Sequence, residues 1–290
     1  MTSRARQPTP RILAGEFLIT IDRPLLVGIL NVTPDSFSDG GQFQTEDEAV
    51  AHALRMVEAG AAMLDIGAES SRPGAVPITE QEETSRLLPV LEKVVRHCRV
   101  PISVDTTKAG VARRAIDAGA SLINDISALR FDPAMSALVA KTGVGVVLMH
   151  MPGTPQTMQQ QASYVDVVGE VAAFLTDRMK WAEASGIRPD QIVLDPGFGF
   201  GKLVPHNLAM LDRLSELADL GRPLLVGLSR KSFIGQVTDR AVAEREVGTV
   251  AAVALAVERG ARLLRVHDVA HMVDAVKLVD AVIRQRAQTG

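Results

Sequence analysis

The chain has 290 residues, of which 47 % are hydrophobic and only 3 % aromatic, with a net charge of −3 and one cysteine. Dispersed Lys and Arg exclude the one-sided basic stripe that nucleic acid requires, a lone Cys98 excludes an internal disulfide or thiolate cluster, and no apolar run approaches the ~18 residues of a membrane span. An α/β barrel of this length ordinarily forms one domain, and a reduced, cytoplasmic setting is the expectation.

Arg4, Arg6 and Arg11 open the chain, but Glu16 and Asp22 break the apolar stretch after them, which does not suit a secretory signal. Residues 1–14 read as a flexible arm and 15–290 as the barrel domain, with 12–21 forming a hairpin that closes the barrel bottom. Eight short aliphatic runs follow, each ending in a polar residue. In chain order they are Ile29-Leu30-Asn31, Met63-Leu64-Asp65, Ile102-Ser103-Val104-Asp105, Leu122-Ile123-Asn124-Asp125, Val147-Leu148-Met149-His150, Ile192-Val193-Leu194-Asp195, Val226-Gly227-Leu228-Ser229-Arg230-Lys231 and Leu264-Arg265-Val266-His267. Near-continuous aliphatic strands are those of a parallel sheet covered on both faces, and in such barrels the reactive groups lie where strands give way to the following loops.

Between the runs, helices are expected at about 46–59, 80–97, 108–118, 133–142, 164–185, 206–220, 243–259 and 269–286. Thr45 with Glu48 and Thr79 with Glu82 have capping-box spacing, Asp132-Pro133 sets a cap before a first-turn proline, and Gly60, Gly119, Gly186, Gly221 and Gly260 stand where helices should stop. Eight strands alternating with eight helices predict an α/β fold, a single (β/α)8 TIM barrel with a short N-terminal hairpin arm. A doubly wound sheet is the alternative, though no glycine-rich dinucleotide fingerprint follows the first strand. Two loops are longer than connection requires: 31–41, rich in hydroxyls and carboxylates and read as a lid, and 67–77, with Ser70, Ser71 and Arg72.

Asp105, Asn124 and Asp195 should converge on the barrel mouth, where carboxylates and an amide together suit the edge of a flat amino-pyrimidinone. Lys231 fits either a Schiff-base lysine or a fixed cation donating to a ring carbonyl. Arg265 and His267, two apart on one strand face, suit an anion clamp. Without a His or Cys pair to hold a transition metal, Asn31 beside that clamp suits Mg²⁺ held mainly by substrate oxygens and water. Asp65 and His150 are as well explained by structural roles.

Taken in order, the segment from Ile29 through Asn31-Val32-Thr33-Pro34-Asp35-Ser36-Phe37 to Gly41, Glu69 to Gly74, Ser103-Val104-Asp105-Thr106, Asn124-Asp125-Ile126, Asp195-Pro196-Gly197-Phe198-Gly199-Phe200-Gly201-Lys202, Ser229-Arg230-Lys231-Ser232 and Arg265-Val266-His267-Asp268 closely resemble the dihydropteroate synthase family. The resemblance implies condensation of a dihydropterin methyl diphosphate with 4-aminobenzoate, and a sulfonamide target. It further implies pterin diphosphate binding by Ser71, Asp105, Asn124, Asp195, Lys231, Arg265 and His267, and 4-aminobenzoate binding by Arg72, Pro73, Phe200 and Ser229. Asp105, Lys231, Arg265 and His267 would be catalytic, Asn31 would bind Mg²⁺, and a homodimer would be the working form. Ala68 stands where the family usually has glycine and Ser71 where it usually has threonine. A corrinoid methyltransferase shares the pterin-binding barrel but has no need of the Asn31 loop or the diphosphate clamp.

Overall fold

The structure is a computed structural model that describes residues 10–32 and 46–289. A hairpin of β1 (Arg11–Ala14) and β2 (Phe17–Thr20) precedes the barrel and pairs antiparallel from Arg11 with Thr20 to Ala14 with Phe17. The first strand therefore takes in the last residues of the expected arm. Then come β3 (Leu25–Asn31), α1 (Glu46–Glu58), β4 (Met63–Gly67), α2 (Glu80–His97), β5 (Ile102–Asp105), α3 (Ala109–Asp117), β6 (Leu122–Asp125), α4 (Ala134–Thr142), β7 (Gly145–Met149) and α5 (Val167–Ala184). The chain continues through β8 (Ile192–Asp195), α6 (Val204–Asp212), α7 (Leu214–Ala218), β9 (Leu225–Val226), α8 (Ser232–Thr238), α9 (Glu246–Glu258), β10 (Leu263–Val266) and α10 (Val269–Thr289).

Strands β3 to β10 form one parallel sheet in the order β8-β7-β6-β5-β4-β3-β10-β9. A bridge between Leu194 and Leu224, with the Leu194 amide donating to the Pro223 carbonyl at 3.0 Å, closes the ring. The expected helix at 206–220 is broken between Asp212 and Leu214, and α8 is an extra turn between β9 and α9. Thr79 caps α2 as its spacing predicted, accepting from the Glu82 amide at 3.2 Å. Asp132 caps two helices, accepting from Ala134 at 2.9 Å and from Ala109 of α3 at 2.8 Å. The other expected box, at Thr45, and the stretch of the expected lid beyond Val32 lie outside the described residues.

Period-2 alternation sorts the barrel interior into layers. The lower layer is apolar: Val27, Met63, Leu122, Val147, Val193, Leu225 and Leu263 pack with Ile12, Ala14 and Ile21 of the hairpin region. The hairpin is anchored there, with the Gly15 amide donating to the Gly143 carbonyl at 3.2 Å. Two residues further along the same strands, on the same face, stand Asp65, Asn124, Met149, Asp195, Gly227 and Arg265. The rule that fills the bottom with hydrocarbon thus delivers polar groups to the top. A second, larger cluster packs the outer faces of the strands against the helices.

Candidate active site

Asp105, Asn124, Asp195, Lys231 and Arg265 line one pocket at the C-terminal ends of the strands, together with Ser71, Ile126, Met149, Gly197, Phe198, Phe200 and Gly227. A larger cavity of about 220 Å³ adjoins it, sharing Ser71, Asp105 and Ile126 and enclosed by the loops after β4, β5, β6 and β7.

Arg265 is held by two carboxylates: its Nε donates to Asp65 Oδ2 at 2.5 Å and its Nη2 to Asp105 Oδ2 at 3.1 Å. The same Asp65 oxygen accepts from Asn124 Nδ2 at 3.1 Å. Asp65, left open by the sequence, is therefore a buried support that fixes Arg265 and turns the Asn124 amide. With its nitrogen so committed, Asn124 Oδ1 is a buried acceptor without a protein partner. Such an atom costs roughly 1–3 kcal/mol until something donates to it.

Burial pushes the Asp105 carboxyl up to about 7, against the pull of Arg265 and helped by Asp65, Glu83 and Asp125. Asp195 rises to about 6 for the same first reason, opposed by a hydrogen bond from the Gly197 amide at 2.7 Å and by Lys231, Arg265 and Lys202. Burial draws Lys231 down to about 8, with Asp195 opposing. Its ammonium lies 4.3 Å from the centre of the Phe200 ring, a cation–π distance. Gly199 has φ +82°, and a Cβ there would sit 3.1 Å from Lys231 Cδ, so the glycine makes room for the lysine as well as the turn.

His267 meets Ser229 Oγ twice, through its amide at 3.3 Å and Nδ1 at 2.9 Å. Burial, with Arg230, Arg265, Lys231 and Arg72 around it, pushes its imidazole down to about 3, so it is neutral here. Asp268, adjacent to the clamp in sequence, pairs instead with Arg230 at 2.8 Å. Asn31 ends β3 in register with Gly67, which is in turn in register with Asp105. Asn31 Oδ1 is 3.8 Å from where a Gly67 Cβ would be.

Of the expected 4-aminobenzoate residues, Phe200 lines the pocket and Ser229 is buried beside His267. Arg72 and Pro73 are exposed on the loop after β4 and do not line the pocket, although the Arg72 charge reaches His267. That loop is pinned at its base, where Lys108 Nζ joins Glu69 at 2.8 Å and the fully buried Glu83 at 2.6 Å. Sequence reasoning assigned nothing to Lys108, Glu83 or Asp125. Asp125 accepts from the Ser127 amide at 2.7 Å and the Leu129 amide at 3.1 Å, which stabilises left-handed backbone at Ala128 and Leu129 and sets Ile126 into the pocket wall. No glycine marks that turn, so only the carboxylate signals it.

A closed parallel barrel with buried hydrogen-bonding groups at its mouth, a basic clamp at one side and aromatic walls defines an enzyme for a flat, polar heterocycle carrying an anion. The family model for "Pterin binding enzyme" matches residues 27–267. The chain is 45 % identical to dihydropteroate synthase of Escherichia coli K12 over 273 residues, 94 % of this chain and 96 % of that protein, and 47 % identical to that of Neisseria meningitidis MC58. It superposes on the Xanthomonas albilineans dihydropteroate synthase solved with 4-aminobenzoic acid at TM-score 0.88, with 50 % identity and 95 % and 98 % of the two chains covered. The Yersinia pestis enzyme solved with a sulfonamide drug gives TM-score 0.90 at 44 % identity, covering 94 % and 99 %. The chain belongs to the dihydropteroate synthase family of pterin-binding transferases.

Proposed function

We propose that the protein condenses (7,8-dihydropterin-6-yl)methyl diphosphate with 4-aminobenzoate to give 7,8-dihydropteroate and diphosphate for folate synthesis. The observation that carries this is the converging set of Asp105, Asn124, Asp195 and Lys231, with the unpaired Asn124 Oδ1 aimed at a donor. A pterin offers that donor among its ring N–H and amino groups, its ring carbonyl can accept from Lys231, and Arg265 lies against its face.

The reaction breaks the bond between the exocyclic methylene and the diphosphate oxygen, whose electron pair leaves with the diphosphate. The neutral aryl amine then forms the C–N bond and releases a proton. Departure leaves a cation delocalised into the ring, so the enzyme must stabilise opposite charges at two places rather than supply a nucleophile. The ionised form of Asp105 faces the first; Arg265 and His267 face the leaving group. A Schiff base on Lys231 has no place in this sequence of bonds. Arg72, Pro73, Phe200 and Ser229 are assigned to the amine side, and Ser71 to the pterin diphosphate.

Mg²⁺ fits the donor chemistry on the diphosphate side. Among the described residues no three His, Cys, Asp or Glu side chains gather as a metal site, whereas a single amide oxygen at Asn31 suits a hard cation whose other ligands are substrate oxygens and water. When bound, it neutralises developing diphosphate charge. Purified protein given the pterin diphosphate and Mg²⁺ is expected to release diphosphate only when 4-aminobenzoate is added; the absence of dihydropteroate would overturn the assignment. The Yersinia relative was solved with a sulfonamide, and we extend that to this chain: sulfonamide inhibition should be relieved by raising 4-aminobenzoate. Inhibition indifferent to its concentration would contradict the amine site.

Two further assignments complete the reading. We assign the enzyme to the cytoplasm; among the described residues no helix is long and apolar enough to cross a membrane. Val247 and Leu255 on α9 and Leu278 and Val282 on α10, two helices that pack together, are exposed apolar side chains, and we assign them to a homodimer contact.

A further inference from the structure

We propose that Lys202 is a positioning residue of the pterin pocket, tying the loop after β8 to the loop after β7 and supplying a cation beside Asp195. The proposal rests on the pterin reading of that pocket and concerns a residue to which neither the sequence motifs nor the chemistry above gave a task.

The geometry is unusual for a lysine. Its side chain is buried, and Nζ donates to the carbonyls of Gly197 and Phe200, both at 3.0 Å, with the His150 carbonyl at 3.4 Å. The fourth neighbour is His150 Nδ1 at 2.9 Å. Burial, with Lys202 and Arg130 nearby, pushes the His150 imidazole down to about 2, so it is neutral, and in the tautomer protonated at Nε2 its Nδ1 accepts from a lysine ammonium. Three carbonyls, and Nδ1 in that tautomer, surround a group that offers three protons as ammonium and two as amine. That arrangement favours the charged form, against burial, which draws Lys202 down to about 7 while Asp195 opposes and Lys231 assists.

What Lys202 gathers is the loop that shapes the site. Gly197, at φ +69°, passes so close to the β7 loop that a Cβ would fall 2.0 Å from the His150 carbonyl oxygen. From this position Gly197 donates to Asp195 Oδ1, and three residues on Phe200 meets Lys231. Asn207 secures the outer side, accepting from the Gly199 amide at 2.8 Å and donating to the Lys202 carbonyl at 3.1 Å. On the inner side the Lys202 ammonium makes the corresponding ties, to the Gly197 and Phe200 carbonyls and to His150. The charged groups facing Asp195 are Lys231 from the start of α8, Arg265 from β10 and Lys202 from its own loop, with Asp105 bound to Arg265 opposite. Removing Lys202 takes away one of three cations that hold Asp195 as carboxylate.

The test is calorimetry of 6-hydroxymethylpterin, which carries no leaving diphosphate, with wild type, Lys202→Met and Lys202→Gln between pH 5 and 8. The glutamine amide keeps two donors for the loop carbonyls without charge and carries the comparison should the methionine variant fail to fold. Pterin affinity near pH 6, where Lys202 carries its charge, is expected to fall roughly tenfold, and the part of the acid-side loss of affinity that Asp195 contributes to move up by about one pH unit. The KM for 4-aminobenzoate at saturating pterin diphosphate should stay within about threefold of wild type. Equal affinity in variant and wild type, or a uniform loss with the acid limb unmoved, would overturn the proposal. A wild type that binds no pterin would instead strike at the function assigned above.

Discussion

At the scale of single residues, the site works by setting charges against burial. Asp195 is placed where water is scarce and cations are close, so it ionises near the middle of the physiological range rather than far below it. The sign follows directly: above about 6 the carboxylate accepts from the pterin edge, and below that pH it takes a proton and one acceptor is lost. Protonation of Asp195 is expected to cost up to about tenfold in pterin affinity per unit beneath that point, and Asp195→Asn should bind weakly and keep only the acid limb that Asp105 contributes. Calorimetry across pH checks both. The sequence made Asp105, Asn124, Asp195 and Arg265 legible because strand alternation sends the residue two beyond a core position to the same face. It could not separate Asp65 from them, since a carboxylate beneath an arginine and one beside a ligand leave the same trace. Lys202 was hidden for another reason: nothing in Gly197-Phe198-Gly199-Phe200-Gly201 says that the following lysine folds back under its own loop.

At the scale of elements, the loop after β4 carries Ser71, Arg72 and Pro73 and is held through Glu69 by Lys108, both of which line the larger cavity. Lys108 at the start of α3 bridges Glu69 of that loop and Glu83 of α2. Lys108→Met would strand a buried carboxylate, at a cost of about 3 kcal/mol. Burial already raises the Glu83 pKa, and losing Lys108 raises it further. A folded pKa above the unfolded one means stability lost as pH rises through it, so the deficit should be largest at pH 8 and shrink towards pH 5. Thermal unfolding at the two pH values measures this, and KM for 4-aminobenzoate should rise more than KM for the pterin diphosphate. Helix positions were readable because caps and stop glycines agreed with the apolar period, as at Thr79 and Gly119. The seven residues of α8 escaped because they are too short to show a period and begin at Lys231 without a side-chain cap.

At the scale of the whole molecule, the barrel leaves α9 and α10 with apolar side chains facing outward; Val247 is 81 % and Leu278 68 % exposed. If the proposed homodimer forms through this face, sedimentation should show dimer for wild type and monomer for Leu278→Glu, with pterin affinity intact because neither helix supplies a pocket residue. The barrel itself was legible from eight runs and their punctuation. Its closure was less so: β9 is only two residues long, and the ring is completed by the single Leu194–Leu224 bridge rather than by an extended ladder.

The hairpin under the barrel has a consequence for traffic. With Ile12, Ala14 and Ile21 wedged among the lower layer, the interior is a vessel stoppered at its base. Whatever goes in first lies deepest and comes out last. On the assigned roles the pterin must be seated before the amine covers it, and the coupled product, spanning both levels, has to back out through the door by which its halves arrived.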